Sequence, residues 1–163
     1  MTNLIGDSLM YALWEQIVLE KENANAYLEI SAFLKNKGLN SFSKKFEEQY
    51  REENEHAEMI VNFMTDLSCP VRIQDIKSLS TPPVLLSSIA LFYLEREIAT
   101  TTSLRELLVL ASTEDCPVGV EFIRKMILLQ QKEYAEATDF YDKMQIVGDD
   151  WKTALLLDAA WGE

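Results

Sequence analysis

Apolar residues recur every three or four positions along four long stretches of the chain, which is the spacing that places them on one face of an α-helix. The alternation of apolar and polar residues that is typical of a half-buried strand is almost absent. The pattern therefore predicts an all-α protein. Four long helices and a short fifth one are expected at Leu9–Asn36, Phe42–Leu67, Val84–Ser112, Val118–Ile146 and Trp151–Trp161.

Residues that break or cap helices separate these stretches, and Ser41 is a candidate N-cap for the second helix. Short connections join helices one and two, and helices three and four, so each pair is expected to form an antiparallel hairpin. The breaks are Lys37–Asn40, Cys69-Pro70, Pro82-Pro83, Asp115–Pro117 and Gly148–Asp150.

The connection between helices two and three, Ser68–Pro83, is long for a loop without regular structure. A helix of about 27 residues is roughly 40 Å long. About sixteen extended residues reach roughly 50 Å, so this connection can run the length of a bundle. We therefore expect helices two and three to be parallel, in a single four-helix-bundle domain over residues 1–163 with one long crossover.

Composition excludes several classes of partner. The 163 residues include 27 acidic and 15 basic side chains, and the net charge of −12 repels nucleic acid and anionic membranes. No apolar run approaches the roughly 18 residues of a membrane span, and the first residues do not resemble a secretion signal, so a cytoplasmic location is expected.

Cys69 and Cys116 lack a partner at metal-ligand spacing and are expected to be free thiols.

Each long predicted helix places a potential metal ligand on its apolar face. Glu20 falls in the apolar stripe of helix one, and Glu53 and His56, the only histidine, fall in that of helix two. A carboxylate and an imidazole three residues apart on one helical face can share a metal ion. On helix four, Gln130 and Glu133 point inward together.

Helix three offers two candidates, and periodicity separates them. The face of Glu97 also carries Tyr93, Leu94 and Leu104, whereas the face of Glu95 would carry the charged Arg105. Glu97 is therefore the predicted inward carboxylate. By the same reasoning Tyr134 shares the predicted inward face of helix four with Glu133.

A single inward glutamate is most often the buried end of a salt bridge. Inward ligands on four helices are harder to explain in this way, because several carboxylates in one core repel each other unless a cation compensates them. Glu20, Glu53, Glu97 and Glu133 sum to about −4 when ionised, which two divalent ions would neutralise. Mixed carboxylate and imidazole ligands suit iron, and they exclude neither manganese nor zinc.

At these residues the chain resembles the ferritin family, and the resemblance covers nearly its whole length. It rests on Glu20 with Tyr27 seven residues later, on the Glu53-x-x-His56 pair, on Glu97 followed closely by Thr100–Glu106, and on Gln130-x-x-Glu133. The resemblance implies a ferritin-like bundle in a homo-oligomeric cage of twenty-four subunits. The corresponding activity is iron storage with ferroxidase chemistry, in which O2 or H2O2 oxidises two ferrous irons per subunit.

The resemblance also implies individual roles. Glu20, Glu53 and His56 correspond to the ligands of the first iron, and Glu53 would bridge to a second iron that Glu97 also holds. Gln130 would lie close by, Glu133 would be a further ligand, and Tyr27 would be a one-electron donor or simply a core aromatic residue.

Departures from related families narrow these expectations. Bacterioferritins place a haem-ligating methionine directly after the helix-two glutamate, where this chain has Asn54, so haem is not expected. Some prokaryotic ferritins hold a third iron through extra helix-four glutamates, but Leu129 and Lys132 occupy those positions here. The short fifth helix is apolar and must pack, either at the four-fold axis of a cage, as in the family, or against its own bundle.

Two other functions remain open from the sequence. A soluble di-iron oxidase or peroxidase of the same superfamily usually repeats Glu-x-x-His on two helices, whereas this chain has a single histidine. A structural subunit with a degenerate site would not need Glu20, Glu53, His56 and Glu97 together.

Overall fold

The computed structural model describes residues 4–78 and 84–161, and within these ranges the only regular structure is helical. The all-α prediction is confirmed, and the observed ends differ from the predicted ones by at most two residues. The helices are α1 (Asp7–Asn36), α2 (Asn40–Asp66), α3 (Leu86–Thr113), α4 (Pro117–Val147) and α5 (Trp151–Trp161).

Contacts near the N-terminal end of α1 show the relative directions of α2 and α3. Near it, the indole Nε1 of Trp14 donates to the carbonyl of Pro70, just beyond α2, at 2.9 Å. The backbone N–H of Leu9 donates to the Glu114 carboxylate, just beyond α3, at 3.1 Å. Because α2 and α3 both finish beside the start of α1, these two helices are parallel, as the crossover predicts. The predicted Pro82-Pro83 break lies outside the described residues.

The start of α2 corrects one prediction. The helix begins at Asn40, so Ser41 lies within its first turn and is not the N-cap. The cap comes instead from Asp158 of α5, whose carboxylate accepts the backbone N–H of Phe42 at 2.7 Å and that of Ser41 at 3.3 Å. A carboxylate at this position satisfies two donors that no intrahelical carbonyl can reach.

This contact places α5 against its own bundle. The Trp161 ring meets the Phe42 ring edge-on, with centroids 5.3 Å apart, while Leu155 and Leu156 on α5 stay exposed. The short helix therefore packs on its own subunit through one face and presents apolar side chains on another.

The interior consists of two apolar clusters, one at each end of the bundle. A layer of buried side chains that are the predicted metal ligands, called here the polar layer, lies between the two clusters along the sequence of every long helix. Its members are Glu20, Glu53, His56, Glu97, Gln130 and Glu133. Cys69 and Cys116 are buried free thiols, as predicted. None of the described helices combines the length and apolar character of a membrane-spanning segment.

Candidate metal centre

The polar layer receives one or two side chains from each long helix because each ligand occupies a position in an apolar stripe. Glu20, Glu53 and Glu97 have no exposed surface, and Glu133 is only 3% exposed. Glu95 is exposed, so the choice of Glu97 on α3 was correct. The predicted inward position of Tyr134 was wrong, since its side chain is 42% exposed.

The first half of the centre contains the Glu53-x-x-His56 pair of α2 and Glu20 of α1. The Nδ1 atom of His56 lies 3.8 Å from Glu20 Oε2 and 4.0 Å from Glu53 Oε2. One ligand atom from each of these residues falls within 4.8 Å of the others. A single cation can therefore contact all three side chains.

The second half contains Glu53 again, now with Glu97 of α3 and Glu133 of α4. One carboxylate oxygen from each of them lies within 4.8 Å of the others. Glu133 also approaches the first half, with its Oε2 atom 3.7 Å from His56 Nδ1. Because Glu53 belongs to both groups, the geometry matches two adjacent cations joined by one carboxylate.

Two further predicted residues hold Glu97 in place. The phenol of Tyr27 donates to Glu97 Oε1 at 2.5 Å, and the amide of Gln130 donates to Glu97 Oε2 at 2.6 Å. Both bonds involve a carboxylate and are of the strong, charge-assisted kind. Tyr27 and Gln130 thus lie beside the candidate centre, and each contacts it through the Glu97 carboxylate.

The pKa values show how strongly the carboxylates interact. Burial and the charge of Glu20 raise the pKa of Glu53 well above its ordinary value. Burial and the charge of Glu97 raise the pKa of Glu133 to about 10. Burial also raises the pKa of Glu20, but the neighbouring Glu53 and His56 outweigh it, and the net pKa is lowered. Glu133 therefore holds a proton near neutral pH that an entering cation would displace.

Several carboxylate oxygens accept no hydrogen bond from the described residues. These atoms are Oε2 of Glu20 and both oxygens of Glu53 and of Glu133. A buried carboxylate oxygen without a partner is costly unless a cation binds it. The donor set of four carboxylates and one imidazole fits iron, and it also fits manganese or zinc.

Sequence reasoning missed the side chains that connect α1 to α3 beside the site. Gln16 donates to Glu20 Oε1 at 2.9 Å, and Ser103 donates to the Gln16 carbonyl. Asn23 donates to Thr100 at 3.0 Å. Gln16 lies one helical turn before Glu20, so a polar residue at that position of an apolar stripe was an available signal.

The comparisons with known proteins agree with this geometry. A family model described as a ferritin-like domain matches residues 10–147. A search of the curated proteins found no match. A solved structure of an open pore ferritin from the hyperthermophilic archaeon Archaeoglobus fulgidus is 24% identical, with a TM-score of 0.86, and the match covers 98% of this chain and 97% of that one.

Two engineered proteins are also similar. A humanized archaeal ferritin is 27% identical over 96% of each chain, with a TM-score of 0.89. A closed form of the Archaeoglobus fulgidus ferritin, made by site-directed mutagenesis, is 26% identical with a TM-score of 0.86, over 96% of this chain and 95% of that one. The family match spans most of the chain and includes every residue of the polar layer, so the chain belongs to the ferritin family.

Proposed function

We propose that this protein is an iron-storage ferritin that oxidises ferrous iron within each subunit and deposits the ferric product as a mineral inside a homo-oligomeric cage of twenty-four subunits. The observation that carries the proposal is the pair of ligand groups that share Glu53. One group has an imidazole and two carboxylates, the other has three carboxylates, and both are buried. Two substrate ions bound there would be close enough to react with one oxidant molecule.

The ligands would bind two ferrous ions. Glu20 and His56 would bind the first ion, Glu97 and Glu133 the second, and Glu53 would bridge them. Each ferrous ion gives up one electron, and the pair reduces O2 with two protons to H2O2, or H2O2 with two protons to two molecules of water. Where only one ferrous ion is bound, Tyr27 would supply the second electron to the oxidant, and its phenolic proton would pass to the Glu97 carboxylate to which it is hydrogen-bonded.

The protons that the carboxyls hold have a role in this scheme. Glu133 is protonated near neutral pH, since burial and the charge of Glu97 raise its pKa to about 10. Burial and the charge of Glu20 raise the pKa of Glu53 in the same direction. Entry of two divalent ions would displace protons from these carboxyls and leave a centre that is close to neutral. The chain thus avoids the cost of several bare charges in its core while the substrate is absent.

Exposed apolar side chains support assembly into a cage. Ile146 at the end of α4 is 88% exposed and Leu156 on α5 is 75% exposed. These two residues, with Val147 and Leu157, line an apolar groove between the two helices. Contacts between subunits would remove this surface from water.

The proposal is tested by adding ferrous iron in air to the purified protein. We expect rapid oxidation, followed by absorbance, and a large particle that retains iron on size-exclusion chromatography. Glu53→Ala should lose the rapid phase because both ions lose a ligand, whereas Glu55→Ala, an exposed position on the same helix, should keep it. Oxidation by Glu53→Ala at the unmodified rate would overturn the assigned centre. A small particle that turns over an organic substrate would favour a soluble di-iron oxidase.

A further inference from the structure

Each half of the metal centre contains a glutamate whose carboxylate is held by a glutamine amide. In the second half, Gln130 of α4 donates to Glu97 at 2.6 Å. In the first half, Gln16 of α1 donates to Glu20 at 2.9 Å. The shared Glu53, by contrast, accepts no hydrogen bond from any described residue. The resemblance of the two halves suggests that Gln16 has a function in the first half comparable to that of Gln130 in the second.

The amide of Gln16 is fixed from both sides. Its side chain lies in the interior and is only 1% exposed. Ser103 of α3 donates its hydroxyl hydrogen to the Gln16 carbonyl oxygen, so the amide nitrogen faces Glu20. The reversed amide would place its carbonyl oxygen against the carboxylate, where neither atom has a hydrogen to donate. The Glu20 carboxylate therefore determines which end of the amide it meets, and the hydrogen bond from Ser103 holds the other end of the amide in place.

The consequence for Glu20 is that its two oxygens have different surroundings. Oε1 accepts the Gln16 hydrogen bond, while Oε2 accepts none and lies 3.8 Å from His56 Nδ1. Oε2 is thus the oxygen that faces the first ligand group. Without the amide, the carboxylate could rotate and present either oxygen, or turn away from the group.

We propose that Gln16, anchored by Ser103, is a positioning residue that directs Oε2 of Glu20 toward the first metal ion. This inference rests on the proposed function, since it concerns the same centre. Hydrogen-bonding partners of metal ligands typically change metal affinity by about 10–100-fold when they are removed. We expect a loss near the lower end of that range, because Glu53 and His56 remain to bind the first ion.

The experiment titrates the metal-free protein with cobaltous ion, followed by visible absorbance and calorimetry, so that binding is measured without oxidation. Ser103→Val and Ser103→Thr form a matched pair, because the two side chains have similar shape and only threonine keeps a hydroxyl donor. Ser103→Val, like Gln16→Leu, should weaken one of the two cobaltous sites about tenfold and leave the other unchanged. Ser103→Thr should bind within about twofold of the unmodified protein.

Thr100→Val is the control for a purely structural effect. It removes another side-chain hydrogen bond between α1 and α3, from Asn23 at 3.0 Å, which does not reach a carboxylate of the centre. Unmodified affinity in Ser103→Val, or an equal loss in Thr100→Val, overturns the positioning role of Gln16. If the unmodified protein binds no pair of cobaltous ions, or if Glu53→Ala binds them equally well, the proposed function itself fails.

Discussion

Replacing Glu133 with glutamine should increase the free energy of unfolding of the metal-free protein by about 3 kcal/mol at pH 7. Burial and the nearby charge of Glu97 raise the pKa of Glu133 to about 10, from an ordinary value of 4.5. At pH 7 the folded side chain therefore keeps its proton, whereas the unfolded side chain releases it. Glutamine has nearly the shape of the protonated carboxyl and has no proton to lose, so the variant avoids this cost.

The magnitude follows from the interval between the ordinary pKa of 4.5 and the pH of the experiment. Each pH unit in that interval costs about 1.4 kcal/mol. A group whose pKa is raised on folding contributes its full stability below the unfolded pKa and loses it as the pH rises toward the folded pKa. The advantage of Glu133→Gln should therefore be nearly absent at pH 4.5 and should grow steadily up to pH 7 and beyond.

Thermal unfolding of chelator-treated protein at several pH values measures this difference. For a chain of this size, about 3 kcal/mol corresponds to a rise in Tm of roughly 6–12 °C at pH 7. Glu55→Gln makes the same change of charge at an exposed position of α2 and should leave Tm nearly unchanged. A Tm of Glu133→Gln at or below that of the unmodified protein at pH 7, or a gap that does not vary with pH, would refute the reasoning.

Three further predictions use the same structure. Zinc or cobaltous ion added to the metal-free protein at pH 7 should release protons, measured in a pH-stat, because the pKa of Glu133 is raised to about 10 and its carboxyl is protonated at that pH. No release would contradict that shift. Tyr27→Phe should lower the free energy of unfolding by about 1–3 kcal/mol, because the hydrogen bond to Glu97 is lost. If the phenol donates an electron, the same variant should also alter the time course of iron oxidation. Asp158→Ala should lower the free energy of unfolding by about 1 kcal/mol, because the first turn of α2 loses its cap. Thermal unfolding measures the difference, and equal stability of the variant would argue against a capping role for Asp158.

The sequence was sufficient to predict the helices and the inward carboxylates. Apolar periodicity extends over about eight turns in each long helix, so small errors in phase average out, and the choice between Glu95 and Glu97 was decided by several neighbours at once. The family resemblance then indicated how the inward residues could combine. The parallel arrangement of α2 and α3 followed from the length of the connection alone.

Other features depend on contacts between distant parts of the chain. Tyr134 lies at the edge of the apolar stripe of α4, where periodicity does not separate a buried from an exposed position. Serine is a residue type that often caps helices, but α2 begins before Ser41. Asp158, far along the chain, accepts the backbone N–H groups of the first turn instead. The position of Gln16 depends on a hydrogen bond from Ser103, which only the packing of α3 against α1 brings near.

The division of the interior into two apolar clusters and a polar layer changes where the bundle is weakest. In an ordinary helix the terminal turns exchange their amide hydrogens fastest, because they open at the least cost. Here the ends of the helices are packed among aliphatic and aromatic side chains, whereas the middle turns carry buried carboxyl oxygens that have no hydrogen-bond partner among the described residues. Hydrogen exchange in the metal-free subunit should therefore be unusually fast at mid-helix. Bound cations should slow hydrogen exchange at mid-helix, because they link the helices across the polar layer. The two apolar ends of the bundle should then open together as one unit.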